Sequence, residues 1–282
     1  MKTADDLFVK EHLPQLKEDG SKFDRGRLLL VCGSDGMAGA CVMAAKAALR
    51  AGVGYLTVAI PRSIYAVVTV QVPEAVCLLY NPDDEAASRE ALEKACAKND
   101  AVLIGCGLGA LREKVVPWVF SCCEKPMLID ADAINQMALS GAFPEKSKDV
   151  VITPHEGEMG RILKTESAWV KEHREDALKL ACEKTQATVL LKGAHTLIGK
   201  SGEESFQNPH VNPGLSRAGS GDTLSGIIAS LMAQGMSGFT AAAAGAFLHG
   251  EAAEEAKKRF GIRSMLPTDV GECLCEVLKR IE

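Results

Sequence analysis

Short strand-like runs, several of them continuously apolar rather than alternating, constrain this chain most. Leu28–Val31, Tyr55–Ile60, Ala75–Tyr80, Ala101–Gly105, Met127–Asp130, Val150–Thr153 and Val189–Lys192 read as strands. A strand with one wet face alternates apolar and polar residues; a strand buried on both faces does not. Helix-length segments fall between most of them: Ala38–Ala51, Glu85–Ala97, Lys114–Cys122 and Ala168–Thr185. Strand and helix in turn predict an α/β fold, a central mostly parallel β-sheet with helices on both faces.

The rhythm changes late in the chain. Thr196–Gly199 and Glu204–Gln207 flank Lys200-Ser201-Gly202-Glu203, a hairpin-like turn. Helical patterns follow at Asp222–Gln234, Thr240–Phe260 and Thr268–Ile281. Ser237 and Thr268 are expected N-caps, and Gly235 and Gly261 expected stops. No linker or repeat divides the 282 residues, so one domain is expected.

Composition excludes some functions. Lys and Arg total 32 against 37 Asp and Glu, a net charge of -5. A nucleic-acid binder needs a basic stripe instead. No stretch approaches the roughly 18 apolar residues of a membrane span, and the N-terminus lacks a signal-peptide core. A cytoplasmic location is expected. The ten cysteines form no C-x-x-C, and most lie in apolar runs where a thiol packs as a small hydrophobe.

Several segments carry chemistry. In Arg217-Ala218-Gly219-Ser220-Gly221-Asp222, two glycines flank a serine and a helix starts at once. Curled backbone N–H groups and a helix N-terminus attract an anion. Asp222 fits a general base beside that anion, and equally a first-turn acid favoured by the helix dipole. Thr153-Pro154-His155-Glu156-Gly157-Glu158 follows a strand, where open α/β sheets gather active-site groups. His155 suits substrate contact and Glu158 a hydrated magnesium ion; alternatively Thr153 caps a helix with Pro154 in its first turn. Lys192-Gly193-Ala194-His195-Thr196 joins two strands, and Gly33–Ala40 opens a helix after the first strand. Each suits a ligand loop or a plain connection. Gly105-x-Gly-x-x-Ala110, with Asp130 downstream, also fits a dinucleotide fingerprint. That reading leaves residues 217–226 and the helical C-terminal part unexplained.

Taken in order, GSDGMAGA (33–40), IGCGLG (104–109), IDADAIN (129–135), ITPHEGEM (152–159), LLKGAHT (190–196), NPGLSRAGSGDTLSG (212–226) and AFLHGEAAE (246–254) resemble the NAD(P)H-hydrate dehydratases, which have a ribokinase-like fold. The resemblance implies repair of hydrated NADH or NADPH (NADHX, NADPHX). The ring hydroxyl is phosphorylated by ADP, or by ATP in animal-type members, and phosphate is then lost. It implies Asp222 as the base and Gly219, Ser220 and Gly221 as the phosphoryl cradle. It places the hydrate at Ala40, Gly107, His155 and Asp222, with Asp130 lining the same cleft. It places the nucleotide at Lys192, Gly193, Ala194, His195, Thr196 and Gly221, and Mg2+ at Glu158 through water. Ser220 stands where Thr is usual, and Cys106 where Pro is common. A homo-oligomer, expected as a tetramer, and a separate epimerase protein are further implications. The alternatives are a vitamin-pathway kinase on the same fold and a catalytically silent nucleotide-binding relative.

Overall fold

A computed structural model describes residues 1–145, 147 and 149–282. Its strands are β1 (Arg27–Val31), β2 (Tyr55–Pro61), β3 (Val76–Tyr80), β4 (Ala101–Ile104), β5 (Met127–Ile129), β6 (Val150–Ile152), β7 (Thr188–Leu191), β8 (Leu197–Gly199) and β9 (Phe206–Gln207). They form one sheet in the order β3-β2-β1-β4-β5-β6-β7-β8-β9. All pairings from β3 to β7 are parallel; β8 and β9 add antiparallel. The expected strands are therefore present, several ending a residue or more earlier. Those trimmed ends are informative. Gly105, Asp130, Thr153 and Lys192 fall just past β4, β5, β6 and β7, at the carboxyl edge of the sheet.

The helices are α1 (Asp6–His12), α2 (Ala38–Arg50), α3 (Tyr65–Gln71), α4 (Glu85–Lys98), α5 (Arg112–Cys122), α6 (Asp132–Ser140), α7 (Glu156–Leu163), α8 (Ser167–Glu172), α9 (Arg174–Thr185), α10 (Ser220–Ala233), α11 (Gly238–Phe260) and α12 (Pro267–Ile281). They cover both faces. Leu28, Leu30 and Leu103 pack with α2, α10, α11 and α12 in one core. Leu29, Val31 and Ile104 pack with α4, α5, α6, α7 and α9 in the other. Consecutive residues of β1 thus enter opposite cores, which is why Leu28–Val31 is apolar throughout. Gly226 explains the closeness of α10 and α2: a Cβ there would lie 2.2 Å from the Ala44 carbonyl oxygen.

Two local expectations are corrected here. Ala168–Thr185 is two helices, because His173 leaves helical geometry with φ -125°. Its ring stacks on Trp169, centroids 4.9 Å apart, and Nδ1 lies 3.1 Å from the Trp169 carbonyl. Thr268 is inside α12 rather than its cap. The helix begins at Pro267, and the Asp269 carboxylate accepts the Leu266 N–H at 2.7 Å. Ser237 does cap α11, accepting the Thr240 N–H. Helices α1, α3 and α6 were not anticipated. Among the described residues, no helix is long and apolar enough to cross a membrane.

Candidate active site

The chain order fixes where a crevice can open. From β1 the chain winds outward through β2 and β3, then returns to place β4 on the other side of β1. The loops after β1 and β4 leave the sheet in opposite directions, and ligands of open α/β sheets lie in such gaps. Glycines let the two loops touch. The Gly33 N–H donates to the Cys106 carbonyl at 2.8 Å, and Ser34 Oγ donates to the Gly107 carbonyl at 2.9 Å. Gly107 has φ +65°, and a Cβ there would sit 2.8 Å from the Ala40 Cβ. Ala40 and Gly107, assigned together to the hydrate, are therefore neighbours.

Helix α10 points its N-terminus at this gap. Gly219 precedes it in the left-handed region with φ +100°, where a side chain would also strike the Met43 sulfur. Among the described residues the N–H groups of Gly221 and Asp222 have no backbone acceptor and face outward with the positive end of the helix dipole, while the Ser220 N–H donates to the Arg217 carbonyl at 3.2 Å. Ser220 is 7% exposed, and its hydroxyl has no hydrogen-bond partner. A buried, unsatisfied hydroxyl beside unsatisfied N–H groups fits an anionic ligand that supplies the missing acceptor.

Asp130 is the hub beneath. It is 1% exposed. Thr153 Oγ1 and Lys192 Nζ each donate to Oδ1 at 2.8 Å, Ser225 Oγ donates to Oδ2 at 2.8 Å, and Cys106 Sγ lies 3.8 Å from Oδ2. Four segments, after β4, β6 and β7 and in α10, are thereby tied to the end of β5. Burial opposes the charge, but Lys192 and the hydroxyl donors hold this carboxyl below its ordinary value. Asp130 was expected to line the cleft for substrate. Its oxygens are already bonded, so it supports the site from below. The same burial removes it as the ribose ligand of a dinucleotide fingerprint. A Cβ on Gly105 would overlap the Asp130 carbonyl oxygen at 1.8 Å, so this glycine serves packing between β4 and β5.

Asp222 behaves oppositely. Burial, together with repulsion from Asp130, raises its carboxyl to about 6, while the Cys106 thiol and Lys192 pull it back. Ser225 lies one turn further along α10, so its bond to Asp130 fixes the helix rotation that presents Asp222. Cys106, standing where Pro was anticipated, is buried between the two acids. The ligating atoms of Cys106, Asp130 and Asp222 lie within 4.8 Å of one another. A soft thiol and a carboxylate already paired with Lys192 do not suit magnesium.

The third acid is Glu158, 4% exposed. His155, not Thr153, is the N-cap of α7, an outcome that corrects the cap expected from sequence. Its Nδ1 accepts the N–H groups of Gly157 at 2.9 Å and Glu158 at 3.4 Å. In return Glu158 Oε2 accepts the His155 N–H at 2.9 Å. This reciprocal box aims Glu158 inward. Burial raises its carboxyl to about 7 against the pull of Lys192, whose Nζ is 3.9 Å from Oε2. An undercompensated buried acid fits a hydrated cation nearby.

The Lys192–Thr196 segment splits in two. Lys192 turns inward to Asp130, and its Nζ lies 3.5 Å from where a Gly221 Cβ would stand, at the mouth of α10. Gly193, Ala194 and His195 are exposed. Arg174 and Ser225 belong to this site and were not anticipated from sequence. Arg174 lay in what read as mid-helix, and Ser225 was quoted only as part of a motif. A separate cavity of about 680 Å3 lies between α4 and the β2–β3 edge; Tyr55, Thr57 and Leu78 line it, and none of the site residues does.

Known proteins are similar to this chain over nearly its whole length. The chain is 38% identical over 286 residues to the bifunctional NAD(P)H-hydrate repair enzyme Nnr of Moorella thermoacetica, covering 98% of this chain and 53% of the relative. It spans about half the length of the curated relatives it matches first. A ribokinase-like superfamily protein of Enterococcus faecalis superposes with a TM-score of 0.88 at 26% identity, covering 100% of this chain and 96% of the other. The ADP/ATP-dependent NAD(P)H-hydrate dehydratase of Bacillus subtilis, co-crystallised with ATP and Mg2+, gives 0.85 at 26% identity, covering 100% and 99%. The fold is thus ribokinase-like. The family profile described as NAD(P)H-hydrate dehydratase matches residues 28–276, and on this match the chain belongs to that family.

Proposed function

We propose that this cleft dehydrates the 6-hydroxy hydrate of NADH or NADPH, using ADP or ATP as phosphoryl donor. One observation carries the reading: a raised, buried carboxyl at Asp222 stands in the first turn of a helix where the Gly221 N–H and the Ser220 hydroxyl have no partner and await an anion. Asp222 takes the proton of the ring hydroxyl. The oxygen attacks the terminal phosphoryl group, and AMP departs when ADP is the donor. The N–H groups of Gly219 and Gly221 and the Ser220 hydroxyl hold the charge on that group, with the ammonium of Lys192 beside them; the Ser220 N–H, expected in this cradle, donates to the Arg217 carbonyl instead. The ring nitrogen then expels phosphate, a ring C–H proton leaves, and the reduced nicotinamide returns. Hydrate plus ADP thus yields cofactor, AMP and phosphate. Ala40, Gly107 and His155 form the hydrate wall, and Gly193–Thr196 with Gly221 the nucleotide side. Glu158 would hold magnesium through water, and the bound ion neutralises phosphate charge. The reading also includes a cytoplasmic homo-oligomer, for which sedimentation and fractionation are the tests.

Two experiments bear on this. Phosphorus NMR of a reaction with ADP should show AMP and phosphate rising one-to-one with reduced cofactor; phosphorylated product without recovered cofactor would indicate a kinase instead. The pH dependence follows from the raised carboxyl. A base must be ionised, so kcat/KM should fall as pH drops through about 6, the value of Asp222. A profile flat down to pH 5 contradicts a base of this kind.

A further inference from the structure

Among the described residues, Arg174 bonds more carbonyls of the turn that follows β7 than any other side chain does. As the first residue of α9, it follows directly on the break at His173. Its Nη2 reaches the carbonyls of Leu191 at 3.1 Å, Lys192 at 3.2 Å and His195 at 3.1 Å. Its Nη1 is paired with Glu156 Oε1 at 2.6 Å. The side chain is 19% exposed. Gly193 makes room for it: a Cβ there would fall 2.8–3.0 Å from guanidinium atoms. The glycine placed at the nucleotide by resemblance thus also makes room for an arginine.

The consequence for the turn is geometric. In a trans peptide the N–H points opposite the carbonyl. Drawing the carbonyls of Lys192 and His195 toward the guanidinium turns the N–H groups of Gly193 and Thr196 away from it. No backbone acceptor takes those N–H groups among the described residues. Glu156 belongs to the same first turn of α7 as Glu158, so the pair also ties the turn to the acid side of the cleft.

We propose that Arg174 is a positioning residue for the donor nucleotide: anchored by Glu156, it gathers the carbonyls of the Leu191–His195 turn and presents that turn's free N–H groups to the nucleotide. This rests on the reading that the turn holds ADP or ATP. The test combines calorimetric titration with ADP and Mg2+ and steady-state kinetics on the full chain. Arg174→Ala should weaken ADP binding at least tenfold and raise the KM for ADP alike. The KM for NADH hydrate should change less than twofold, and kcat at saturating ADP less than threefold. Millimolar ethylguanidinium should restore most of the lost affinity, which no general loosening of the fold would permit. Glu156→Gln, which keeps the arginine but removes its anchoring charge, should shift ADP affinity in the same direction if Arg174→Ala fails to fold. Unchanged ADP affinity in folded variants overturns the proposal, as does an equal loss in kcat and both KM values without rescue. Wild-type protein that binds neither ADP nor ATP overturns the nucleotide reading itself.

Discussion

Asp222→Asn should lower kcat by about 10^3-fold or more while leaving nucleotide binding within a few fold, the loss expected when a general base beside an oxyanion site is removed. The amide keeps the size of the carboxyl but cannot take a proton. The variant should also be more stable than wild type at pH 7.5. In the folded protein the Asp222 carboxyl is raised to about 6, so it binds its proton more tightly than in the unfolded chain. Its stabilising effect is complete below the unfolded value of about 3.9 and is lost as pH rises through about 6. At pH 7.5 the buried charge is a burden, and the neutral amide relieves on the order of 1–2 kcal/mol of it. Differential scanning calorimetry should show a Tm higher by roughly 2–4 °C at pH 7.5, with the gap closing near pH 4. Retained turnover removes Asp222 as base; a lower Tm at pH 7.5 removes the electrostatic account.

Asp130→Asn should do the reverse, costing stability as well as activity. The aspartate faces Lys192, Thr153 and Ser225 from a fully buried position. Removing its charge leaves the Lys192 ammonium, itself largely buried, without its closest counter-ion. Breaking one partner of such a pair costs about 3–5 kcal/mol. Urea denaturation should report that loss, with an unchanged m-value showing that the same surface still unfolds. The tie to Ser225 is lost or reshaped, so α10 no longer holds Asp222 in register and turnover falls too. Lys192→Met with Asp130→Asn removes both charges and should recover part of the stability but none of the activity. A single variant as stable as wild type would show that the hub is not what joins β5 to its neighbours.

The contrast between these acids shows what the sequence could and could not reveal. Apolar runs announced the parallel sheet because burial on both faces leaves no polar position to interrupt them. The glycine-serine-glycine-aspartate segment was legible because its backbone requirement is local. Asp130 was visible only as an acid at a strand end. Its partners lie 23, 62 and 95 residues away, and no local pattern records such pairings. His155 was legible as unusual, but its capping of α7 was not, since histidine is rarely the acceptor of that motif. Arg174 was hidden by the helical reading of Ala168–Thr185. Both halves have helical composition, and only the His173 break brings the guanidinium to the turn. The valine-rich Tyr65–Gln71 illustrates the opposite failure: β-branched residues argue against a helix locally, yet packing against α2 and β3 overrides them.

The central claim is tested most directly in a cuvette. The purified chain is mixed with NADH hydrate and Mg2+, and absorbance in the reduced-nicotinamide band is followed before and after ADP or ATP is added. The structure predicts recovery only once nucleotide is present, at a rate that Asp222→Asn abolishes. No recovery with either nucleotide, from folded protein that binds them, would contradict the proposed repair reaction.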